Sequence, residues 1–505
     1  MDLLIHAFEW EEVKAMKASN INNVSPDKFV FVSKEKVILD KALETKQRGF
    51  FADAWFRFSR NKGSVIAAFI ILLLILFSIF VPIFSKYNLK FNDGYYKYMP
   101  PKSEFLSKYG IMTGLTKVKG VNQQLFDYYN AIPDAVVSVD KTYELKDGGR
   151  AFTYYDITVD SYKKVGYVYK LLTAQEREKA LVYEEETGIQ LFYPMIDTKQ
   201  INNPSFSDDP NLWYENTPKG AAKYNKDGSY NNIYAKDPES KDGYKYAISK
   251  MNGGQYQVRV LYSDWFQYER GFEPVFFFGS DGYGKDILVG VASGARFSFI
   301  LAILVATINF IIGTIIGAIE GYYGGKLDLI IERIIDILAN IPFIIAVTLF
   351  QMFFARKVGV VVCLIFAFML TGWIGIAGRV RTQFYRFKGQ EYVLAARTLG
   401  AKDKRLIFRH ILPNAMGTII TSAVLMVPGV IFTESTLSFL GIVDFQTSNL
   451  TSIGTLLSNG QSSLTTTPHV IFFPAVFISL LMICFNMFGN GLRDAFNPSL
   501  RGAED

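Results

Sequence analysis

Six long apolar runs, separated by polar segments, are the main pattern in the chain. The first, from Gly63 to Phe84, carries no charged residue. At about 1.5 Å per residue, a helix of roughly 20 residues spans about 30 Å, the thickness of the hydrocarbon core of a bilayer. The run begins too far into the chain for a signal peptide and lacks a small-residue cleavage site, so it predicts a retained membrane span. The later runs predict helical spans near Phe297–Ile319, Ile335–Phe354, Val358–Ala377, Thr418–Leu440 and Val470–Phe488.

Basic residues orient these spans, because Lys and Arg concentrate on the cytoplasmic side of membrane proteins. The segment 378–417 is rich in Lys and Arg, whereas the segment 441–469 contains neither. The first segment is therefore predicted to lie in the cytoplasm and the second outside it. Both ends of the chain are predicted to be cytoplasmic, since basic residues precede the first span and follow the last. Arg356 and Lys357, in a short outer turn, are an exception that the overall pattern outweighs.

The long polar stretch Lys86–Phe278 predicts an inserted soluble domain outside the membrane, and its length suits an independent fold. Alternating residues in Ala151–Asp160 predict a strand that follows a turn at Lys146–Gly149. Asn252-Gly253 predicts a hairpin turn before a second strand in Gln255–Tyr262. Since a helix is also expected in this stretch, the inserted domain is predicted to be α+β.

That helix is predicted to start at a capping box of Thr173 with Glu176 and to end at Gly188. The predicted fold class is an all-α membrane domain with six transmembrane helices plus an inserted extracytoplasmic α+β domain. The expected order is a cytoplasmic tail (1–62), the first span (63–84), the inserted domain (85–278), the remaining membrane core (279–488) and a second cytoplasmic tail (489–505). Within the first tail, Phe50–Phe58 indicates a helix on the inner membrane surface or, with nearly equal weight, an interfacial aromatic belt.

Composition narrows the possible functions. Hydrophobic residues make up 50% of the 505 positions, and the formal net charge is +6. A nucleic-acid-binding protein would concentrate its basic residues on a soluble domain, whereas here they flank apolar runs. Cys363 and Cys484 lie inside apolar runs, and the three histidines are scattered. We therefore predict no disulfide, no metal site, no bound cofactor and no nucleic-acid partner.

The segment Gly279–Asp286 has the glycine and lysine spacing of a phosphate-binding loop. Such a loop needs Ser or Thr after the lysine to hold magnesium, and here Asp286 follows Lys285. An acidic side chain would repel phosphate, and the predicted topology places this segment outside the cell. The sequence therefore predicts that the chain contains no ATPase of its own.

The basic cytoplasmic segment carries the strongest functional pattern. Glu391–Gly400 predicts a short amphipathic helix ended by Gly400, and Asp403 is suited to cap a second helix that runs to Ile411 and stops at Pro413. A helix–turn–helix that is rich in both Arg and apolar residues favours docking into a groove of a partner protein. From the pattern alone, a basic loop that binds acidic lipid headgroups is an equal alternative.

This segment resembles the coupling loop of ABC-importer permeases and, more narrowly, that of the C-type membrane subunit of oligopeptide and dipeptide importers. The resemblance rests on Glu391-Tyr-Val, Ala395-Ala396, Leu399-Gly400-Ala401 and Phe408–Asn414. Further motifs match the family in order and spacing at Gly279–Arg296, Gly321–Asp328, Arg333–Pro342, Glu434–Gly441 and Gly491–Arg501. The resemblance is strong over 279–501 and weak over Gly63–Phe84.

The resemblance implies a type I importer permease fold that transports its substrate by alternating access. It implies a second permease subunit in a heterodimer, two cytoplasmic ATP-binding subunits, an extracytoplasmic substrate-binding lipoprotein, surrounding membrane lipid and a peptide substrate, all at a bacterial cell membrane. Because ATP hydrolysis would belong to partner subunits, the chain itself is not expected to be an enzyme. ATPase docking is assigned by resemblance to Glu391, Ala395, Ala396, Arg397, Leu399, Gly400 and Asp403.

Three features depart from the family pattern. Leu394 replaces a glutamate that many importers place before the paired alanines, and His410 replaces a frequent isoleucine. The inserted domain is much longer than the usual loop at this place. A permease for nickel complexes or another small solute is an alternative function, and a membrane-anchored ligand-binding receptor is an alternative from another class.

Glu434 is the notable ionisable residue predicted inside a span, where a carboxylate is costly. It lies near the outer end of the fifth span, and Thr433, Ser435 and Thr436 flank it. We predict a structural role, in which the carboxylate bonds to these hydroxyls or reaches interfacial water, in preference to substrate contact.

Overall fold

A computed structural model of the chain describes residues 50–147, 150–201, 208–217, 221–250, 254–445 and 450–496. The chain divides into two compact units, Met1–Phe56 and Arg57–Asp505, and helix α1 (Phe50–Arg60) contains the boundary between them. A helix is thus present where one was predicted before the first span. Its attachment to the membrane surface stays a prediction, and the following description concerns the second unit.

Helix α2, Lys62–Phe84, coincides with the first predicted span. The side chain of Asn61 caps its start by accepting a hydrogen bond from the backbone N–H of Ser64 at 3.2 Å. After α2 the chain forms the inserted domain, which consists of short helices and antiparallel strands. These are α3 Glu104–Ser107, β1 Leu115–Asn122, α4 Gln123–Asn130, β2 Val136–Asp147, β3 Arg150–Asp160, β4 Tyr167–Leu172, α5 Ala174–Thr187, β5 Phe192–Tyr193, β6 Ala247–Lys250, β7 Gln255–Leu261 and α6 Tyr262–Arg270.

The strands form two antiparallel sheets, one in the order β1-β3-β2 and one in the order β4-β7-β5 with β6 also paired to β7. Both predicted strands are present, the second ending at Leu261. The two predicted turns, at 146–149 and at 252–253, include residues outside the described part of the chain. The capping box of Thr173 with Glu176 is formed, and Gly188 ends α5 with φ of 70°.

The inserted domain packs on the segment that leads into the next membrane helix. Tyr87 and Phe276, from the two ends of the domain, stack with ring centroids 4.8 Å apart. The hydroxyl of Ser280 accepts from the N–H of Met99 at 2.8 Å and donates to the carbonyl of Tyr96 at 2.5 Å. Because aromatic burial and directional hydrogen bonds act together here, the domain is held in one position against the membrane part.

The glycine-rich segment 279–286 is a turn that starts helix α7, Ile287–Tyr323. Asp286 caps this helix by accepting from the N–H of Leu288 at 2.9 Å. A Cβ on Gly284 would lie 1.9 Å from the carbonyl oxygen of Asp93, and the φ of Gly284 is 71°. Glycine is therefore required there both by the turn and by the close approach of the inserted domain.

The membrane core follows this turn. Five of the described helices are long and apolar enough to cross a membrane, and the number is six if one bent pair counts as a single span. After α2 and α7, the core consists of the bent pair α8 Gly325–Ala339 and α9 Phe343–Val358, then α10 Val360–Phe387, α11 Glu391–Thr398, α12 Asp403–Phe439, α13 Ile453–Gly460 and α14 His469–Phe496.

The bent pair corrects the continuous helix predicted over Ile335–Phe354. Helices α8 and α9 meet at an angle of 74°. The break includes Pro342, which lacks an N–H and disfavours helical backbone in the residue before it. Helices α7 and α14 are also longer than the predicted spans, because each continues past its apolar run through charged residues such as Arg296 and Arg493.

Small residues let α7 approach α10 closely. A Cβ on Gly317 would lie 2.3 Å from the carbonyl oxygen of Ala377, and one on Gly313 would lie 2.7 Å from that of Trp373. Helices in lipid associate through such close packing, since the surrounding tails are as apolar as the side chains. Helix α7 also packs against α2, α12, α13 and α14, so it is the central helix of the core.

Candidate functional site: the Glu391–Ile411 segment

Helix α11 forms the first half of the candidate site, as predicted. It ends in a turn that two backbone hydrogen bonds close. The N–H of Ala401 donates to the carbonyl of Ala396 at 3.1 Å, and the N–H of Gly400 donates to the carbonyl of Arg397 at 2.9 Å. Gly400 has φ of 81°, a left-handed conformation that glycine adopts without strain. The predicted helix and its glycine stop are therefore both present.

One side of the Glu391–Ile411 segment is buried against the membrane helices. Val393, Leu406 and Ile411 are fully buried. They share an apolar cluster with Val380 and Phe384 of α10. The buried side of the segment therefore packs against the ends of the membrane helices.

The opposite side of the segment exposes large apolar side chains. Leu399 is 88% exposed and Phe408 is 60% exposed, while Leu394, the departure from the family pattern, is 44% exposed. Large apolar side chains exposed in this way are suited to contact a partner protein. Most of the predicted docking residues are exposed as well, namely Glu391, Ala395, Arg397, Leu399, Gly400 and Asp403, whereas Ala396 is half-buried.

Asp403 does not cap the second helix, which corrects the prediction. The helix begins at Asp403, but its cap position is Lys402 and no side chain caps it. The Asp403 carboxylate instead accepts a hydrogen bond from the hydroxyl of Tyr322, at the end of α7, at 2.6 Å. The guanidinium of Arg397 lies 5.9 Å from the centroid of the same Tyr322 ring. Sequence reasoning missed Tyr322, although its motif at Gly321–Asp328 had been recognised.

The predicted stop at Pro413 is also wrong. Helix α12 runs without a break from Asp403 to Phe439 and contains a π-helical turn at Leu406–Ile411. A proline in a regular α-helix clashes with the carbonyl four residues earlier, here that of Arg409, and removes one hydrogen bond. The wider π turn accommodates this change. The second half of the site is thus a direct extension of a membrane-spanning helix.

A second polar cluster lies near the same helix ends. Arg381 of α10 makes two hydrogen bonds to the carboxylate of Asp328 in α8, at 2.6 and 2.9 Å, and pairs with Glu332. The hydroxyl of Tyr385 also donates to Asp328, at 2.8 Å. Two-pronged Arg–carboxylate contacts fix geometry as well as charge. Among the described residues, no group of three or more His, Cys, Asp or Glu side chains is arranged to hold a metal ion.

Glu434 is fully buried and surrounded by hydroxyls. Its carboxylate accepts from Ser298 of α7 at 2.7 Å, from Ser438 at 3.1 Å and from Ser435 at 3.4 Å. Thr433 and Thr436 bond instead to carbonyls of their own helix. The carboxylate therefore joins α12 to α7 inside the protein and does not reach water, and its structural role stays a prediction.

Long apolar helices with a helix–turn–helix packed on their ends indicate a multi-span membrane protein. The family model for the binding-protein-dependent transport system inner membrane component matches residues 309–502. The model for the N-terminal TM domain of oligopeptide transport permease C matches residues 49–101. The inserted domain lies between the two matched ranges from residue 102 onward, and its first residues belong to the N-terminal match.

Individual relatives agree with these matches. The oligopeptide transport system permease protein OppC of Bacillus subtilis (strain 168) is 45% identical over 224 residues, which are 44% of this chain and 72% of that protein. The dipeptide transport system permease protein DppC of the same organism is 42% identical over 225 residues, 44% of this chain and 69% of that protein. The chain belongs to the family of binding-protein-dependent transport system inner membrane components. It is a permease subunit, and ATP hydrolysis is done by separate subunits.

Among solved structures, the chain is similar to an inward-facing form of the MetNI methionine ABC transporter. The identity is 18% and the TM-score is 0.34, with 41% of this chain and 96% of that chain covered.

Proposed function

We propose that this chain is the C-type transmembrane subunit of a bacterial ABC importer for peptides. The observation that carries the proposal is the 45% identity to an oligopeptide permease over 224 residues. The family match over residues 309–502 contains the Glu391–Ile411 segment. The geometry of that segment supports it, because a helix–turn–helix with one buried and one exposed apolar side is suited to dock a partner.

The proposed assembly contains a second permease subunit, two cytoplasmic ATP-binding subunits and a substrate-binding lipoprotein outside the membrane. The proposed location is the bacterial cytoplasmic membrane, with both ends of the chain in the cytoplasm. The charge contrast between segments 378–417 and 441–469 supports this orientation. Cysteines placed at Ser240 and Ser458 should react with an impermeant thiol reagent in whole cells, and one placed at Lys404 should not. Reaction at Lys404 in sealed cells would reverse the orientation.

We assign ATPase docking to the exposed side of the segment. Leu394, Leu399 and Phe408 supply apolar area, and Ala395 permits close approach of a partner backbone. The guanidinium of Arg397 lies over the ring of Tyr322. Arg397 would therefore contact a partner and Tyr322 with the same side chain.

The inserted domain is proposed to lie outside the membrane and to help seat the lipoprotein over the transport path. Its fixed position beside the start of α7 supports this role. Exposed aromatic side chains support it as well, since Phe105 is 67% exposed and Tyr109 is 71% exposed, and aromatic residues are enriched at interfaces.

The test is uptake by the complex of all proposed subunits, purified together and reconstituted into vesicles. We expect ATP-dependent accumulation of labelled oligopeptides that requires the lipoprotein. Uptake of nickel complexes but not of peptides would replace the substrate assignment. Failure of this chain to co-purify with ATP-binding subunits would refute the permease assignment itself.

A further inference from the structure

Tyr322 lies where α7 meets the Glu391–Ile411 segment. It is the second-last residue of α7, is 8% exposed, and belongs to the apolar cluster that contains Val393 and Leu406. Its hydroxyl donates to Asp403 at 2.6 Å, and its ring faces the guanidinium of Arg397 at 5.9 Å. One side chain of α7 therefore contacts both halves of the segment.

The hydrogen bond and the apolar contacts constrain the segment in different ways. Apolar contacts such as those of Val393 and Leu406 are not directional, so they resist separation of the segment from α7 more than sliding along it. A short hydrogen bond depends steeply on distance and angle, so it resists sliding as well. The Tyr322–Asp403 bond consequently fixes the register between the segment and α7.

The position of α7 in the core makes this register important. Helix α7 packs against α2, α10, α12, α13 and α14. Since its glycines bring it against the backbone of α10, a displacement of α7 moves its neighbours with it. Asp403 lies at the start of α12, so the bond adds a directional link between α12 and α7 to the apolar contacts of the shared cluster.

We propose that the Tyr322–Asp403 hydrogen bond is a positioning contact that transmits movements of the Glu391–Ile411 segment to α7, and through α7 to the rest of the membrane core. This inference rests on the proposed function, in which ATP-binding subunits move the segment. Tyr322 touches no substrate in this role and acts only through Asp403 and α7.

The test compares Tyr322→Phe with Tyr323→Phe in the complete reconstituted complex. Tyr323 is the next residue, is 56% exposed, and contacts Tyr322 through its ring, so it is a matched control for loss of one hydroxyl. The readouts are retention of the ATP-binding subunits during purification, the rate of ATP hydrolysis, and peptide taken up per ATP hydrolysed. The last ratio separates a loss of transmission from a general loss of folded complex.

We expect Tyr322→Phe to retain the ATP-binding subunits and to hydrolyse ATP, while uptake per ATP falls about fivefold, which corresponds to about 1 kcal/mol for one hydrogen bond. Tyr323→Phe should leave the ratio unchanged. Asp403→Ala should reproduce the loss, and the double variant should be no worse than either single variant, because both remove the same bond.

Three results would overturn the inference. They are an unchanged ratio in Tyr322→Phe, additive losses in the double variant, and loss of the ATP-binding subunits from Tyr322→Phe, which would make the hydroxyl a docking or folding contact. If instead the unaltered complex shows no ATP-driven peptide uptake, the proposed function fails independently of these variants.

Discussion

The hydrogen bond between Ser298 and Glu434 offers a direct measure of how polar contacts hold the core together. Ser298 belongs to α7 and is 2% exposed, and its hydroxyl lies 2.7 Å from the carboxylate of Glu434 in α12. Replacing Ser298 by Ala removes this bond and changes little else in volume. The carboxylate keeps Ser438 and Ser435 as donors but loses its shortest contact.

The expected cost follows from this geometry. Hydrogen bonds between helices in membrane proteins contribute about 0.6 kcal/mol on average and up to about 1.7 kcal/mol. The Ser298 bond belongs near the upper limit, because it is short, fully buried and made to a carboxyl group. We therefore expect Ser298→Ala to lower the free energy of unfolding by about 1 to 1.5 kcal/mol relative to a control Ser→Ala change.

Ser422→Ala is the matched control. Ser422 is 8% exposed and lies in α12, but its hydroxyl bonds to the carbonyl of Thr418 in its own helix at 2.9 Å. Both changes gain the same helix propensity of alanine, so the difference between them isolates the bond between helices. The assay is unfolding of the purified protein by SDS in mixed micelles, followed by circular dichroism. A difference below about 0.5 kcal/mol would refute the structural role assigned to Glu434, since that is the scatter of neutral substitutions.

The remaining predictions concern glycine positions and one buried carboxyl. Gly400→Val should reduce uptake and ATPase stimulation while membrane insertion persists, because valine is strained at a φ of 81°; normal transport by this variant would contradict the docking assignment. Gly454→Ala should destabilise the protein by about 1 to 3 kcal/mol, because the new Cβ would lie 2.1 Å from the carbonyl oxygen of Ser435. Gly429→Ala is the control, because a Cβ at Gly429 would have no neighbour within 4 Å. Equal stability of the two variants would refute the close packing of Gly454 against Ser435. Burial raises the pKa of Asp286 from 3.8 to about 7, so its folded form binds a proton that the unfolded form releases, and stability should fall as the pH rises between these values. Asp286→Asn, which can still cap α7, should flatten this slope in thermal unfolding between pH 4 and pH 7, and an unchanged slope would contradict the assignment.

Particular elements show how far the sequence reaches. The end of α2 at Phe84, the capping box at Thr173 and the end of α11 before Gly400 were all predicted, because each depends on residues close together in the chain. One prediction that failed also concerns residues close together in the chain. Helix α12 continues through Pro413, where local rules predict a stop, because a π turn absorbs the proline.

The candidate site shows the same division. The amphipathic pattern and the glycine at the helix end were sufficient to find α11. They assigned Asp403 to a helix cap, since a carboxylate at the start of a helix usually has that function. Its actual partner, Tyr322, is 81 residues away in the chain, so no local pattern relates the two.

By itself, the sequence determined the apolar spans, their expected orientation and the family, because hydrophobic length, charge bias and motif spacing are written along the chain. Only the tertiary structure decided which polar groups meet inside it. The bonds of Glu434 to Ser298 and of Tyr322 to Asp403 join helices that are distant in sequence. The physical reason is that solvation and local backbone preferences act residue by residue, whereas hydrogen-bond partners across helices depend on the register in which those helices pack.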